Sequence, residues 1–456
     1  MTTGRRDLLT STAEIALRYL ETAGERPVAR EVSLERLVEE LGGPLPAAPT
    51  DPAEVIDLLD RGADPGLVVT SAGHYFGFVE GGVLPAALAA DWLASAWDQN
   101  PAFFALSPAA AAVEEVCRGW LCELLGLPET ASAGFTTGAQ MANFTGLAVG
   151  LRRVLAAAGW DVDSDGLFGA PEVTVVVGEQ RHATVDRALR LLGLGSRHLV
   201  AVPTDDQGRM RASALHDVLG GGPTLVCAQA GNVNTGAFDP LREICELAHE
   251  RHAWVHVDGA FGLWAAASPS SRHLVDGVEL ADSWATDAHK WLNVPYDCGI
   301  VLCAHPDSHR AAMTLSASYL ARSGSRDGAD WTPESSRRAR ALPVWAALRG
   351  LGRTGVSDLV ERSCAQARRF AEILSGVDGV TVLNEVVLNQ VLVRVGDDDE
   401  RTRAVAAAVQ SGGAIWLGTT VWRGEVALRI SVCDHATDDA AVTVAAEEVL
   451  RAVHAC

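Results

Sequence analysis

Four polar clusters in this chain sit where an apolar, strand-like run gives way to a loop. "ATDAHKWLNVPYDCG" (285–299) carries His289 and Lys290 after the strand-like "ADSWAT" (281–286). A lysine there is either a solvated surface charge or a desolvated amine, whose lowered pKa suits attack on a carbonyl. Asp258 closes "WVHVD" ahead of the small residues of "GAFG". A carboxylate ending a buried strand needs a cationic partner. His182, in "GEQRHATVDRA", follows the apolar run 173–178; a lone histidine at such a point is more often structural than functional. The fourth cluster, "GFTTGAQMANFTGL" (134–147), is a Gly/Thr turn opening into a helix. Free N–H groups of Gly138, Ala139 and Gln140 would face an anion there, although a plain capped helix accounts for it equally well.

Taken together, the four clusters ask for a flat ligand, anionic at one end, with a protonatable ring nitrogen and a carbonyl that an amine can capture. Pyridoxal 5'-phosphate has that description. Lys290 would form the Schiff base, and Asp258 would keep the pyridine nitrogen protonated so that the ring acts as an electron sink. His182 would stack on the ring, and the 138–140 turn would receive the phosphate.

The elements that must position these residues are legible as alternation. Strands are expected at 173–178, 224–229, 254–258 and 299–303, separated by runs of helical apolar spacing such as "TVDRALRLLGL" and "LREICELAHERH". Fully apolar strands alternating with helices predict an α/β fold with a mostly parallel sheet covered on both faces. In such a sheet, ligands bind beyond the C-terminal strand ends. Residues 1–74 read as a polar helical arm that packs on another domain or a second subunit. Residues 75–350 read as the large domain, and 351–456 as a small α+β domain with strands in "VTVLN", "NQVLVRV" and "VALRISV".

Composition excludes some partners. The chain has 456 residues and a formal net charge of −21, so it lacks the basic surface that nucleic acid requires. Its richest apolar stretch, 84–97, is too short to span a membrane and carries Asp91. Nine cysteines without a C-x-x-C pair suggest buried thiols in the cytoplasm, with neither a disulfide framework nor a metal site. Three motifs mislead. "GLGRTG" (350–355) follows a helical run and not a strand, so it lacks the setting of a dinucleotide fingerprint. "HERHAWVH" (249–256) has the wrong spacing for a zinc-protease helix, and the sequon at Asn143 lies in an apolar helix.

The set "GFTTGAQMAN", "HVDGAFG" and "TDAHKW" resembles the group II pyridoxal-phosphate-dependent decarboxylases, and the likeness runs from "HYFGFVEGG" (74–82) to "LRISVCDHATDD" (428–439). The resemblance implies fold type I, with a seven-stranded sheet and a homodimer whose active sites lie at the interface. By position, it makes Lys290 the Schiff-base lysine, Asp258 the partner of the ring nitrogen and His182 the stacking histidine. His289 precedes the lysine, Ala260 lies under the ring, and Asp287 lies near the phosphate. It also places Tyr75, Phe76, Phe78, Phe103 and Phe104 around the substrate. Arg429 and Arg394 are candidates for a substrate carboxylate.

The resemblance implies α-decarboxylation of an L-amino acid through a carbanion at Cα, but two departures stand out. The family's loop tyrosine, which protonates that carbanion, has no counterpart in "LARSGSRDGADWTPESSRRAR" (320–340). The four tyrosines are at 19, 75, 296 and 319, and Tyr319 matches the residue before the loop. Trp331 could instead close a lid. The second departure is Asp287, which stands where the aromatic decarboxylases carry Asn. A carboxylate facing a phosphate is repulsive unless it is protonated or turned to a backbone N–H. Alternative outcomes are therefore His182 or water as the acid, aldehyde formation, aldol or other C–C cleavage, and transamination.

Overall fold

The computed structural model describes residues 4–197, 199–315 and 324–456. Its main sheet has seven strands: β1 (Ser132–Thr136), β2 (Thr174–Gly178), β3 (Leu199–Val202), β4 (Thr224–Gln229), β5 (Trp254–Asp258), β6 (Ser283–Asp287) and β7 (Gly299–Cys303), in the order β1-β7-β6-β5-β4-β2-β3. The pairs β2–β3, β2–β4, β4–β5 and β5–β6 are parallel, whereas β7 runs antiparallel to both β1 and β6. Strands β1, β5, β6 and β7 are buried at every position, as expected for a sheet covered on both faces.

Two strands here were not anticipated. β1 is the first half of the Gly/Thr segment, and its small residues, Ser132, Ala133 and Gly134, carry little strand propensity. β3 is only four residues long.

A second sheet, β10-β11-β9-β8, is built from β8 (Val380–Val382), β9 (Gln390–Val395), β10 (Gly418–Trp422) and β11 (Glu425–Ser431), all antiparallel. Its own core includes Phe370, Val393, Leu428 and Val449. The long helix Ala341–Ser375 serves both cores and kinks at Gly352, whose φ is 61°. The sequence "GLGRTG" is therefore that kink.

The N-terminal arm contains helices Arg5–Thr22 and Leu34–Leu41, neither of which buries a single residue. Among the described residues, no helix is long and apolar enough to cross a membrane, and no cluster of His, Cys, Asp and Glu could hold a metal ion.

Candidate active site

The parallel strands deliver their polar residues to one edge. Asp258 ends β5, in register with Ala285 of β6, and Asp287 ends β6. The Asp287 N–H donates to the Ala260 carbonyl at 2.8 Å, which joins the two connections beyond the sheet. Asp287 is the hub. One oxygen, Oδ1, accepts the Ala139 N–H at 2.6 Å, and the other, Oδ2, lies 3.0 Å from Lys290 Nζ. The carboxylate is thus turned to a backbone N–H and a cation, which offset part of the repulsion expected from an acid beside a phosphate.

His289 Nδ1 accepts the Cys298 N–H at 3.1 Å, leaving Nε2 to face Asp287 Oδ1 at 3.5 Å. Burial, its largest influence, lowers the His289 pKa in spite of that neighbouring carboxylate.

The anion turn is held close to the sheet by missing side chains. A Cβ on Gly299 would lie 2.4 Å from the Cα of Gly138, and one on Gly138 would lie 3.3 Å from His289 Cε1. The helix Ala139–Ala157 starts there, and its first N–H, that of Ala139, points at Asp287. Gln140 places its side-chain amide on the Thr184 carbonyl at 3.2 Å.

Asp258 is buried, and its Oδ1 accepts the Ala260 N–H at 3.3 Å. Its other oxygen has no hydrogen-bond partner among the described residues and so is free for a ligand. That orphan suits a protonated ring nitrogen. His182 caps the helix Ala183–Leu191 and feels Asp258, Lys290, Arg429 and Asp287; burial, the largest influence, lowers its pKa. An amine, an orphan acid, a neutral imidazole and a helix N-terminus on one edge form a donor set that fits pyridoxal phosphate.

The substrate side is partly as expected. Tyr75 and Phe78 each stack on Trp416, with ring centroids 4.9 and 5.3 Å away. Arg429, on β11, is within electrostatic reach of Tyr75, and burial lowers its pKa. Its guanidinium makes no hydrogen bond or ion pair among the described residues.

Three placements differ from expectation. Phe76 is 1% exposed and packs edge-on against Phe370 in the core of the second sheet, away from the cleft. Phe103 is buried against Ala102 and Ala329. Arg394 is occupied by Asp399 at 2.7 Å.

The described part of the loop without a tyrosine is tied to the protein at several points. Phe104 N–H donates to Asp327 Oδ1 and Ala329 N–H to the Ala102 carbonyl, each at 2.9 Å. Arg337 pairs with Glu114 at 2.7 Å, both side chains being 1% exposed, and Arg326 reaches the same carboxylate at 3.3 Å. The Arg326 guanidinium lies over the ring of Trp331, 5.3 Å from its centroid. A Cβ on Gly328 would meet the Pro101 carbonyl oxygen at 2.3 Å. Tyr319 and residues 320–323 lie outside the described residues.

Several contributors escaped the sequence reading. Asn293 (φ 54°) accepts the N–H groups of Gly82 and His435 and donates to the Cys433 carbonyl at 3.0 Å, tying the Lys290 turn to the second domain. An asparagine in the loop three residues after the lysine is a signal for left-handed backbone. Trp416 carried no such signal. Tyr296 rests on His289, with centroids 4.3 Å apart.

Comparison with known proteins supplies the remaining evidence. Residues 45–395 match the family model described as the pyridoxal-dependent decarboxylase conserved domain. The chain is 29% identical over 458 residues to the aromatic-L-amino-acid decarboxylase of Sus scrofa, covering 94% of this chain and 92% of that protein. It is 28% identical over 420 residues to the 4-hydroxyphenylacetaldehyde synthase of Rhodiola rosea, covering 88% and 84%. The crystal structure of the Oryza sativa tryptophan decarboxylase with pyridoxal phosphate and tryptamine superposes with a TM-score of 0.93 at 24% identity, covering 99% of this chain and 97% of that one.

Proposed function

Since this chain belongs to the pyridoxal-dependent decarboxylase family, we propose that it removes the α-carboxylate of an L-amino acid, with Lys290 as the amine that holds the cofactor. The observation that carries this reading is the Asp287 hub, which sets the Lys290 amine and the anion turn side by side. When bound, pyridoxal phosphate supplies an electron sink for the pair left at Cα as carbon dioxide departs.

The rest is done by the chain. Asp258 offers its unpartnered oxygen to the ring N–H, Gly138, Ala139 and Gln140 take the phosphate with His289 beside it, and Ala260 and His182 flank the ring. Tyr75, Phe78 and Trp416 wall off an apolar pocket, and Arg429 orients the anionic end of the substrate. Phe104 belongs to the wall that the 326–340 segment supports. His182 is the group we assign to deliver a proton to Cα; it does so as the imidazolium, taking a proton from solvent beforehand and returning to the neutral ring.

A second copy completes the picture. Leu9, Leu17, Leu34, Val38 and Leu59 are between 50% and 72% exposed on the arm, an apolar surface that a homodimer would cover. Eight of the nine cysteines are buried and all are free, which suits the cytoplasm.

One observation favours a second outcome, decarboxylation coupled to aldehyde formation, in which dioxygen takes two electrons from the unprotonated carbanion and leaves as hydrogen peroxide while water releases aldehyde and ammonia: the pinned loop offers no tyrosine to protonate the carbanion. Incubating the holoenzyme with a panel of L-amino acids, and quantifying amine, aldehyde, keto acid and hydrogen peroxide, separates the two. Amine without peroxide supports decarboxylation; aldehyde with ammonia and peroxide supports the second outcome. A keto acid or an aldol fragment as the sole product would refute both.

A further inference from the structure

A line of hydrogen bonds runs from the cleft into the protein core. His182 Nδ1 lies 2.8 Å from Thr184 Oγ1 and also accepts the Thr184 N–H at 3.3 Å. Asn143 Nδ2 donates to Thr184 Oγ1 at 3.4 Å, and Asn143 Oδ1 lies 2.9 Å from His256 Nε2. His256 Nδ1 lies 2.8 Å from Ser283 Oγ, which accepts the Trp254 indole N–H at 3.0 Å. Asn143, His256 and Ser283 are fully buried. The helix Ala139–Ala157 makes room for them with Gly146, where a Cβ would lie 2.6 Å from the His256 ring.

The donors and acceptors run in one direction. An indole N–H can only donate, so Ser283 accepts from Trp254 and has its own proton for His256 Nδ1. His256 is kept neutral by burial, which pushes its pKa down to about 3, so its remaining proton sits on Nε2 and goes to Asn143 Oδ1. The Asn143 amide then donates to Thr184, and the Thr184 hydroxyl donates to His182 Nδ1. With two donors aimed at Nδ1, the proton of a neutral His182 is on Nε2. That nitrogen has no partner among the described residues.

We propose that Thr184, Asn143, His256 and Ser283 are positioning residues that hold His182 in its Nε2–H tautomer, presenting an N–H donor to the cleft. Around the imidazole stand Asp258 and Asp287, which favour its protonation, and Lys290 and Arg429, which oppose it. The inference concerns where a proton sits and does not depend on which product leaves the site.

The test is nitrogen NMR of the holoenzyme labelled at histidine, with His182 assigned through its Gln variant. In the wild type His182 should show a pyridine-like Nδ1 and a pyrrole-like Nε2. Thr184→Val and Asn143→Leu should give averaged tautomer shifts and raise the His182 titration midpoint by roughly one pH unit, whereas Thr184→Ser should restore the wild-type pattern. Wild-type shifts in folded Thr184→Val would overturn the proposal. If Thr184→Val responds and folded Asn143→Leu does not, the line ends at Thr184 and the roles of Asn143, His256 and Ser283 are refuted. Should Asn143→Leu not fold, Ser283→Ala reads the same core segment through the His256 signals and must perturb His182 as well. A normal NMR pattern with no decarboxylation would count against the proposed reaction alone.

Discussion

Asp287 binds Lys290 through one oxygen, at 3.0 Å, and the first N–H of the helix Ala139–Ala157 through the other, at 2.6 Å. One carboxylate thereby fixes the spacing between the Lys290 amine and the 138–140 turn. The charge that does this also opposes a phosphate. Asp287→Asn keeps an acceptor for Ala139 and removes the charge, so cofactor release should slow by about threefold to tenfold, a range within 1.4 kcal/mol. Dilution of the holoenzyme, followed by absorbance, measures it; faster release would contradict the role given to Asp287.

Asp258 tests the ring-nitrogen assignment. Asp258→Asn preserves shape but cannot stabilise a protonated ring, and turnover should fall on the order of 100-fold while cofactor binding persists. A variant with near wild-type turnover would remove Asp258 from the site.

The buried pair of Glu114 and Arg337, 2.7 Å apart, should hold the 326–340 segment in place. Glu114→Gln leaves a buried guanidinium uncompensated, which costs about 3–5 kcal/mol; denaturant unfolding measures it. A loss below about 1 kcal/mol would mean that the segment is not pinned as described. Gly328→Tyr, with no room for its side chain, should destabilise the protein and leave amine production no higher.

Stability should depend on pH through two core histidines. Burial pushes His256 down to about 3 and His309 to about 4. Below the ordinary histidine pKa near 6.5 the unfolded chain takes up protons that the folded chain refuses. Stability is therefore full above about pH 6.5 and falls from there to about pH 4 for His309 and about pH 3 for His256, by roughly 1.4 kcal/mol per pH unit per histidine at most. His256→Gln should flatten that slope; an unchanged slope would show that His256 does not carry it.

The strongly apolar strands β2, β4, β5 and β7, and the polar residues at the ends of β5 and β6, were legible because fully buried strands and charges at their ends are local signals. β1 was hidden by small residues: it is an edge strand paired with β7 alone, and its burial comes from elements packed over it. The direction of Phe76 was hidden too, because alternation along "HYFGF" does not say which of two cores a ring enters. The pinning of the 326–340 segment depends on Glu114, more than 200 positions away, a pairing no local pattern encodes. Asn143 illustrates the same limit, since a sequon in an apolar helix gave no hint of its contact with His256.

The central claim is that Lys290 carries the cofactor. Borohydride reduction of the purified holoenzyme, followed by peptide mass spectrometry, tests it most directly. The predicted result is a pyridoxyl adduct on the peptide containing Lys290, absent from Lys290→Ala together with the visible absorption band. An adduct on another residue, or a Lys290→Ala protein that keeps the band, would contradict the account.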